Sequence, residues 1–561
     1  MKTITTFLFA FILCVNAVVS QTPVITMTTT KAIGSVFTFR LSGNTSKTPV
    51  QVDFGDGNLV NDTIKNYPST TVSDTLVGSQ TVKIYGTGII FLDCSFDQID
   101  SLDVTKNTEL IDIWCQHNTL SNLDVTKNTA LTYLYCSDNK FTTLDISNNI
   151  ALTYINCEAS GLSILDVTKN TALSDIRCGN NNLTTLDVSK NIALTSLNCS
   201  YAQLTTLDIS KNISLSMLYC NNNPLTTLDV SKDTALTLLN CANTQLTTLD
   251  LSKNIALTQL FCNDDQLTAL DISKDTALTF LDCIFNKLTT LDISKNIVLQ
   301  VFQCTSNQLT ALNLTKNTAL TGLYCGDNQL TGLDISKDTA LTTIICSGNQ
   351  LTTLDVSMNK KLNQIWCGNN LLNFATLPLK QAAWTIYYYD SQKPVPIVSA
   401  LNTGITLDLS SQFTVNGNTT AYTWKTKSGT TLSEGTDYTI SNGKTIFLKA
   451  QTDSVYCEMT NTTFPDLAGT NVLKTTYTKI TINTKIEEKE IKEIEIYSHY
   501  KTIYINTPND AKLSIFDING RMVVSKSINS GTSMIQLQNR SIYLVKLNSN
   551  KVSTIRKVLI E

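Results

Sequence analysis

Fourteen cysteines stand 21 residues apart without a slip, from Cys94 through Cys115, Cys136 and Cys157 to Cys367. A short period held over so many copies marks a solenoid, in which each unit buries its apolar edge only against its neighbours. The unit reads LxxLxCxxNxLTxLDxSKNxA. Two residues before each cysteine the chain has Leu, Ile or Phe, as at Leu134, Ile155, Leu218 and Phe302. Residues two apart on a strand share a face, so this residue and the cysteine point inward together. Leu204, Leu225 and their equivalents follow five residues after the cysteine, and the leucines Leu102 through Leu354 eight after it. A Val, Ile or Leu two residues further on, such as Val230 or Ile272, completes the returning side of the coil. So few residues per turn leave no room for a long helix; extended segments and tight turns must close the loop.

Neighbouring rungs of a parallel sheet hold side chains about 4.8 Å apart, whereas a disulfide wants Cβ atoms near 3.8 Å, so bridging successive cysteines would strain the coil. Without Cys14 the chain has fifteen cysteines, the fourteen of the ladder and Cys457, an odd number. The ladder therefore reads as a column of small, soft hydrophobes, a role that free Cys fills well. The asparagine three residues after many of the cysteines, such as Asn139, Asn181 and Asn223, suits a turn whose amide bonds to backbone groups of adjacent coils. Asp97, Ser160, Ala202, Thr244 and Asp265 interrupt that row. An Asp after the thirteen-fold Leu, replaced once by Asn313, would stack acidic groups at about 0.8 kcal/mol per pair even in water. The lysines three residues on, from Lys106 to Lys337, lie on the same turn and could neutralise it, but the preferred reading is a turn-capping Asp beside a solvated Lys row. No glycine-rich calcium-binding nonapeptide accompanies these aspartates.

The motif LxxLxCxxNxL resembles a leucine-rich repeat, and its 21-residue form is similar to the cysteine-ladder repeats of the internalin J type and of secreted Bacteroidetes proteins. The resemblance covers residues 89–378. It implies a mainly β fold, a leucine-rich-repeat solenoid with a parallel sheet on the concave face and a ligand surface there. Side-chain alternation sends the residues flanking the inward positions onto that surface. Just before the cysteines stand Trp114, Tyr135, Arg177, Tyr219, Phe261, Tyr324 and Trp366, and two residues earlier come Tyr133, Tyr154 and Phe280. Rigid rings give large contact area at small entropy loss, so the nine aromatics are the candidate ligand-binding residues; stacking on one another across strands is the alternative use for them.

Other modules flank the repeats. MKTITTFLFAFILCVNAVVS reads as a signal peptide over 1–20, and no later stretch is long and apolar enough to span a membrane. Residues 21–88, with VDFGDGN at 52–58, look like part of a PKD-type β module in which Asp53 and Asp56 are turn residues. Over 379–484, strand-like runs alternate with turn signals, and Trp424 with Cys457 resembles an Ig-type β-sandwich core that lacks a second cysteine. A charged linker occupies 485–493, and residues 494–561 resemble the C-terminal sorting domain of type IX secretion, carrying Tyr497-Ser498-His499 and Ser541-Ile542-Tyr543 at two of its motif positions. The triplets at Asp233-Thr234-Ala235, Asp275-Thr276-Ala277 and Asp338-Thr339-Ala340 resemble a Bacteroidetes O-glycosylation sequon.

A net charge of -4 with no basic patch argues against nucleic acid as a partner. Only His117 and His499 are present, no GxSxG or P-loop occurs, and the carboxylates form a regular ladder, so neither an enzyme nor a cofactor is expected. Absence of CxxC and of clustered His argues against a metal. What remains is a secreted or cell-surface binding protein that meets a protein or glycoprotein through its sheet, in adhesion or as an adaptor. The alternatives are a glycan-binding module and a structural surface-layer component.

Overall fold

The computed structural model describes residues 22–482, 494–549 and 553–560; the leader at 1–20 and the linker at 485–493 lie outside the described residues. The chain divides into two compact units, Met1–Leu401 with Ile405–Ile480, and Asn402–Gly404 with Thr481–Glu561. Among the described residues the only helical segments are two single 3-10 turns, Ser410–Gln412 and Gly469–Asn471.

In the first unit each 21-residue repeat contributes one three-residue strand ending just before its cysteine. Successive strands pair in parallel and in register, as Tyr133, Leu134 and Tyr135 do with Tyr154, Ile155 and Asn156. Pairing extends a rung beyond the last repeat cysteine, where Ile386–Tyr388 pairs with Gln364–Trp366. There Tyr387 takes the inward Leu/Ile place, and Tyr389, 5% exposed, follows it into the cysteine's. The repeat cysteines are all buried and unpaired. Above the strand, the chain turns through a left-handed residue two positions after the cysteine, as at His117, Asp138 and Asn180. Asn and Asp tolerate that conformation well.

The N-terminal strands are continuous with this ladder. Val36–Gly43 pairs antiparallel with Ile89–Asp93, the strand of the Cys94 repeat, which pairs in parallel with the next repeat strand, Asp112–Trp114. This pairing covers the edge of the first rung, which an isolated solenoid would leave open to other chains. In the turn at 52–58, Asp53 accepts the backbone N–H groups of Gly55 and Gly57 at 2.8 and 2.9 Å, and both glycines have positive φ. At the other end, Gln392 continues the asparagine row: its Nε2 donates to the Cys367 carbonyl at 2.9 Å, and its Oε1 accepts from Asn370 and Leu372. The strands beyond it form small antiparallel sheets in which Trp424 lies opposite Cys457, fully buried, with its indole N–H on Thr445 Oγ1. Phe464 from this region stacks on Phe374 at 5.9 Å and meets Tyr389 edge-on at 5.4 Å. Phe464→Ala is expected to destabilise the C-terminal end of the solenoid by about 3–5 kcal/mol, read as earlier local unfolding in hydrogen exchange.

Two rows of asparagine hold the coils together. In the first, three residues after the cysteine, Asn139 Nδ2 donates to the carbonyls of Cys115 and Cys136 while its Oδ1 accepts from the Leu120 N–H. The second row lies thirteen residues after the cysteine. Asn128 Nδ2 donates at 3.0 Å to Val104 and at 2.7 Å to Asn107, two carbonyls of the preceding coil. Ten of the thirteen positions of this row are Asn; Asp233, Asp275 and Asp338 fill the others. A carboxylate has no N–H to give, and both oxygens of each of these aspartates are buried without a partner. Burial pushes Asp233 and Asp275 up to about 7 and Asp338 to about 6, with Asp229, Asp271 and Asp334 on the adjacent turns adding to the effect.

The exposed aspartate row caps its turns, as the sequence suggests. Asp124 Oδ1 accepts both the backbone N–H and the hydroxyl of Thr126, at 2.9 and 2.7 Å, and these bonds hold its carboxyl below the usual range, with Lys127 adding little. The turn's own donors offset the charge; among the described residues no ion pair joins this row to the repeat lysines. Donors fixed by the backbone keep their place at no side-chain entropy, whereas an exposed lysine must give up its own to form a pair.

The second unit is a pair of antiparallel sheets. One contains Glu495–His499, Thr502–Thr507 and Gly531–Gln536, the other Ala511–Phe516, Met522–Ile528, Ser541–Asn548 and Ser553–Ile560. Ile503, Ile505, Leu513, Ile515, Val545 and Leu547 fill the core between them.

Candidate binding face

The outer face of the parallel sheet is built by the two residues that flank the inward Leu or Ile of each strand. Of the nine predicted aromatics, Tyr133 is 44% exposed and the other eight are half-buried. All nine lie on the sheet strands, yet they do not form one continuous row.

Three groups result. Near the N-terminal end, Trp114 packs on Tyr135 at 5.0 Å, Tyr135 stacks on Tyr154 at 4.5 Å, and Tyr133 lies 6.2 Å from Tyr154. Phe261 and Phe280 make a separate pair at 4.7 Å, and Trp366 packs on Tyr388 at 5.8 Å. Tyr219 and Tyr324 stand between these groups on strands whose neighbours carry no outward ring; Tyr324 covers Gly322 on its own strand, where an added Cβ would come within 3.0 Å of the ring. Ring stacking across strands thus accounts for part of the burial and leaves one side of each group open.

Sequence reading missed the residues that complete the first group. Phe91 meets Trp114 edge-on at 5.5 Å; it stands three residues before Cys94, at the place in its repeat that Tyr133 and Tyr154 hold in theirs. Arg40, on the antiparallel strand of the N-terminal module, places its guanidinium 5.7 Å from the Trp114 ring centroid and bonds Asp93 through Nε at 2.8 Å. No repeat pattern could have signalled Arg40, because its place depends on how the first module pairs with the solenoid. At the other end of the group, Arg177 lies 5.5 Å over the Tyr154 ring and pairs with Asp175 at 3.3 Å. Glu158 accepts the Asn198 amide at 2.6 Å; burial raises its carboxyl and the nearby Arg177 opposes the rise. Asp112 lies between Phe91 and Tyr133 in register. Burial pushes its carboxyl up to about 6, outweighing the nearby Trp114 indole N–H. Burial also drives Tyr154 to about 12, so its hydroxyl stays neutral and can both donate and accept. The face is therefore a set of rigid rings fringed by guanidinium, carboxylate and amide groups, suited to non-covalent recognition. Among the described residues no group of His, Cys, Asp and Glu could hold a metal ion, and no helix is long and apolar enough to cross a membrane.

Comparison with known proteins finds the same repeat fold. The functional domain of InlJ from Listeria monocytogenes, which includes a cysteine ladder, superposes with a TM-score of 0.61 at 31% identity, over 70% of this chain and 86% of that one. An internalin, InlF, of the same species matches at 22% identity and TM-score 0.46, over 48% of this chain and 85% of that one. A leucine-rich-repeat protein of Leptospira interrogans matches at 19% identity and TM-score 0.43, over 50% and 90%. Residues 498–561 match the secretion system C-terminal sorting domain. No curated protein matches the chain.

Proposed function

Because the chain belongs to the family of cysteine-ladder leucine-rich-repeat proteins that includes InlJ, we propose that it acts at the cell surface or outside the cell, as an adhesion or adaptor protein whose sheet face binds a protein partner. The sorting domain at its C-terminus supports export. One observation carries the binding role: half-buried rings, Trp114, Tyr135 and Tyr154 foremost, occupy the outer face of a scaffold whose inward positions hardly change from coil to coil. A scaffold that holds its core constant and varies one face is built to present that face.

Replacing Tyr135, Tyr219 and Tyr324 together by Ala in the full chain should abolish capture of the partner while far-UV circular dichroism and the melting temperature stay close to wild type. Truncated aromatic anchors cost about 2 kcal/mol or more each at a binding surface, so retained affinity would move the site off this face. The Tyr135–Tyr154 stack beside Asn156 also suits a sugar ring, and a glycan array run beside the protein capture separates the two ligand classes.

A further inference from the structure

We propose that the Asp112 carboxylate, set among the rings of Phe91, Trp114, Tyr133 and Tyr135, is the docking point for a lysine or arginine side chain of the protein partner. The proposal rests on the protein-binding reading above and names what that partner must present.

Three observations lead there. The first is placement. Phe91 and Tyr133 are the in-register neighbours of Asp112 on the strands to either side, and Trp114 follows two residues on along the same face. Trp114 in turn touches Phe91 at 5.5 Å and Tyr135 at 5.0 Å, so the carboxylate sits in a group of mutually packed rings. The second is charge. Arg40 is bound to Asp93 and Arg177 to Asp175, while Glu158 is bonded to Asn198. Asp112 takes part in no ion pair among the described residues. The third is hydrogen bonding: Asp112 Oδ1 is buried without a hydrogen-bond partner, and the Trp114 indole N–H nearby does not make up for the burial. An ionised carboxylate left unpaired among rings is unfavourable, and a cation is what removes the penalty.

An alkylammonium or guanidinium group gains twice in such a place. It meets the negative faces of the rings and forms a charge-assisted bond to the carboxylate. A sugar hydroxyl could bond to Asp112 but would leave its charge uncompensated. Among the described residues no group of three or more His, Cys, Asp and Glu gathers to hold a metal ion.

The test pans the full chain, the Asp112→Asn variant and the Tyr219→Ala/Tyr324→Ala variant against a displayed library of random linear peptides. Wild-type protein is expected to enrich peptides that share one basic residue at a fixed position. Replacing that residue by norleucine in a synthetic peptide should weaken binding about ten-fold or more. Asp112→Asn should show the same loss, and the norleucine peptide should lose nothing further on it. The norleucine comparison on wild-type protein decides the question even if the variant folds poorly. Enriched peptides without a shared basic residue, or equal affinity for the norleucine peptide, would overturn the anchor. If their binding still falls in Tyr219→Ala/Tyr324→Ala, the protein-binding reading survives. No enriched peptide at all would overturn both.

Discussion

Replacing Asp233, Asp275 and Asp338 together by Asn should stabilise the solenoid at neutral pH by about 1–3 kcal/mol per site. Each Asn restores a donor to the carbonyls that its counterparts bridge elsewhere in the row, as Asn128 bridges Val104 and Asn107. It also removes a buried carboxylate whose two oxygens have no partner. The three sites lie two and three coils apart, so their effects should add. The pH dependence has a definite sign. In the folded chain Asp233 and Asp275 titrate near 7 and Asp338 near 6, above the ordinary 3.8. The folded state therefore holds these protons more tightly than the unfolded state does. Their contribution is fully present below about pH 4, falls as pH rises towards 7, and is flat above that. Wild type should melt higher at pH 4.5 than at pH 8 by more than the triple variant does. Thermal melts of both at the two pH values measure this, and identical pH profiles would count against it.

The thiol ladder should be almost inert in the native state and fully reactive after unfolding. Every cysteine among the described residues is buried and unpaired. Burial drives Cys115, Cys157, Cys199 and Cys346 from 9.0 up to about 12. Since the thiolate is the reactive form, its population falls about a thousandfold at neutral pH before any loss of access is counted. Labelling by a bulky maleimide, followed by mass spectrometry, should therefore be slower than in denaturant by at least that factor. Because each coil depends on its neighbours, whatever labelling occurs should begin at one end of the array and progress inward. Rapid native labelling at central positions such as Cys220 and Cys241 would mean that the column is not a packed core.

Much of this architecture was legible from residue spacing. The period, the inward Leu–Cys pair and the absence of room for a helix all follow from one 21-residue unit. The aspartate turns were legible as caps with the lysines left to solvent, and hydroxyl and backbone N–H donors two residues on supply the capping bonds. The second asparagine row escaped notice because the same residues also read as Asp-Thr-Ala triplets. Its signal was present, since that position admits only Asn or Asp in thirteen copies. Thr234, Thr276 and Thr339 of those triplets are exposed, while the aspartates beside them are buried.

For the binding face the division is sharper. Alternation along a strand determines that Trp114, Tyr135 and Tyr154 point outward, and no tertiary information is needed for that. Which rings meet is another matter, because contact across strands depends on side-chain reach and on the neighbour at each rung. That is why nine aromatics separate into three groups with Tyr219 and Tyr324 between them. The repeat by itself fixed a β-coil with a cysteine spine and a variable outer face, since a period of 21 with inward positions two apart allows little else. Only the folded chain decided that Arg40 joins that face and that Asp112 is left without a counter-charge. The place of Arg40 arises from strand pairing between Val36–Gly43 and Ile89–Asp93, a long-range contact between segments of which only the second belongs to the repeat.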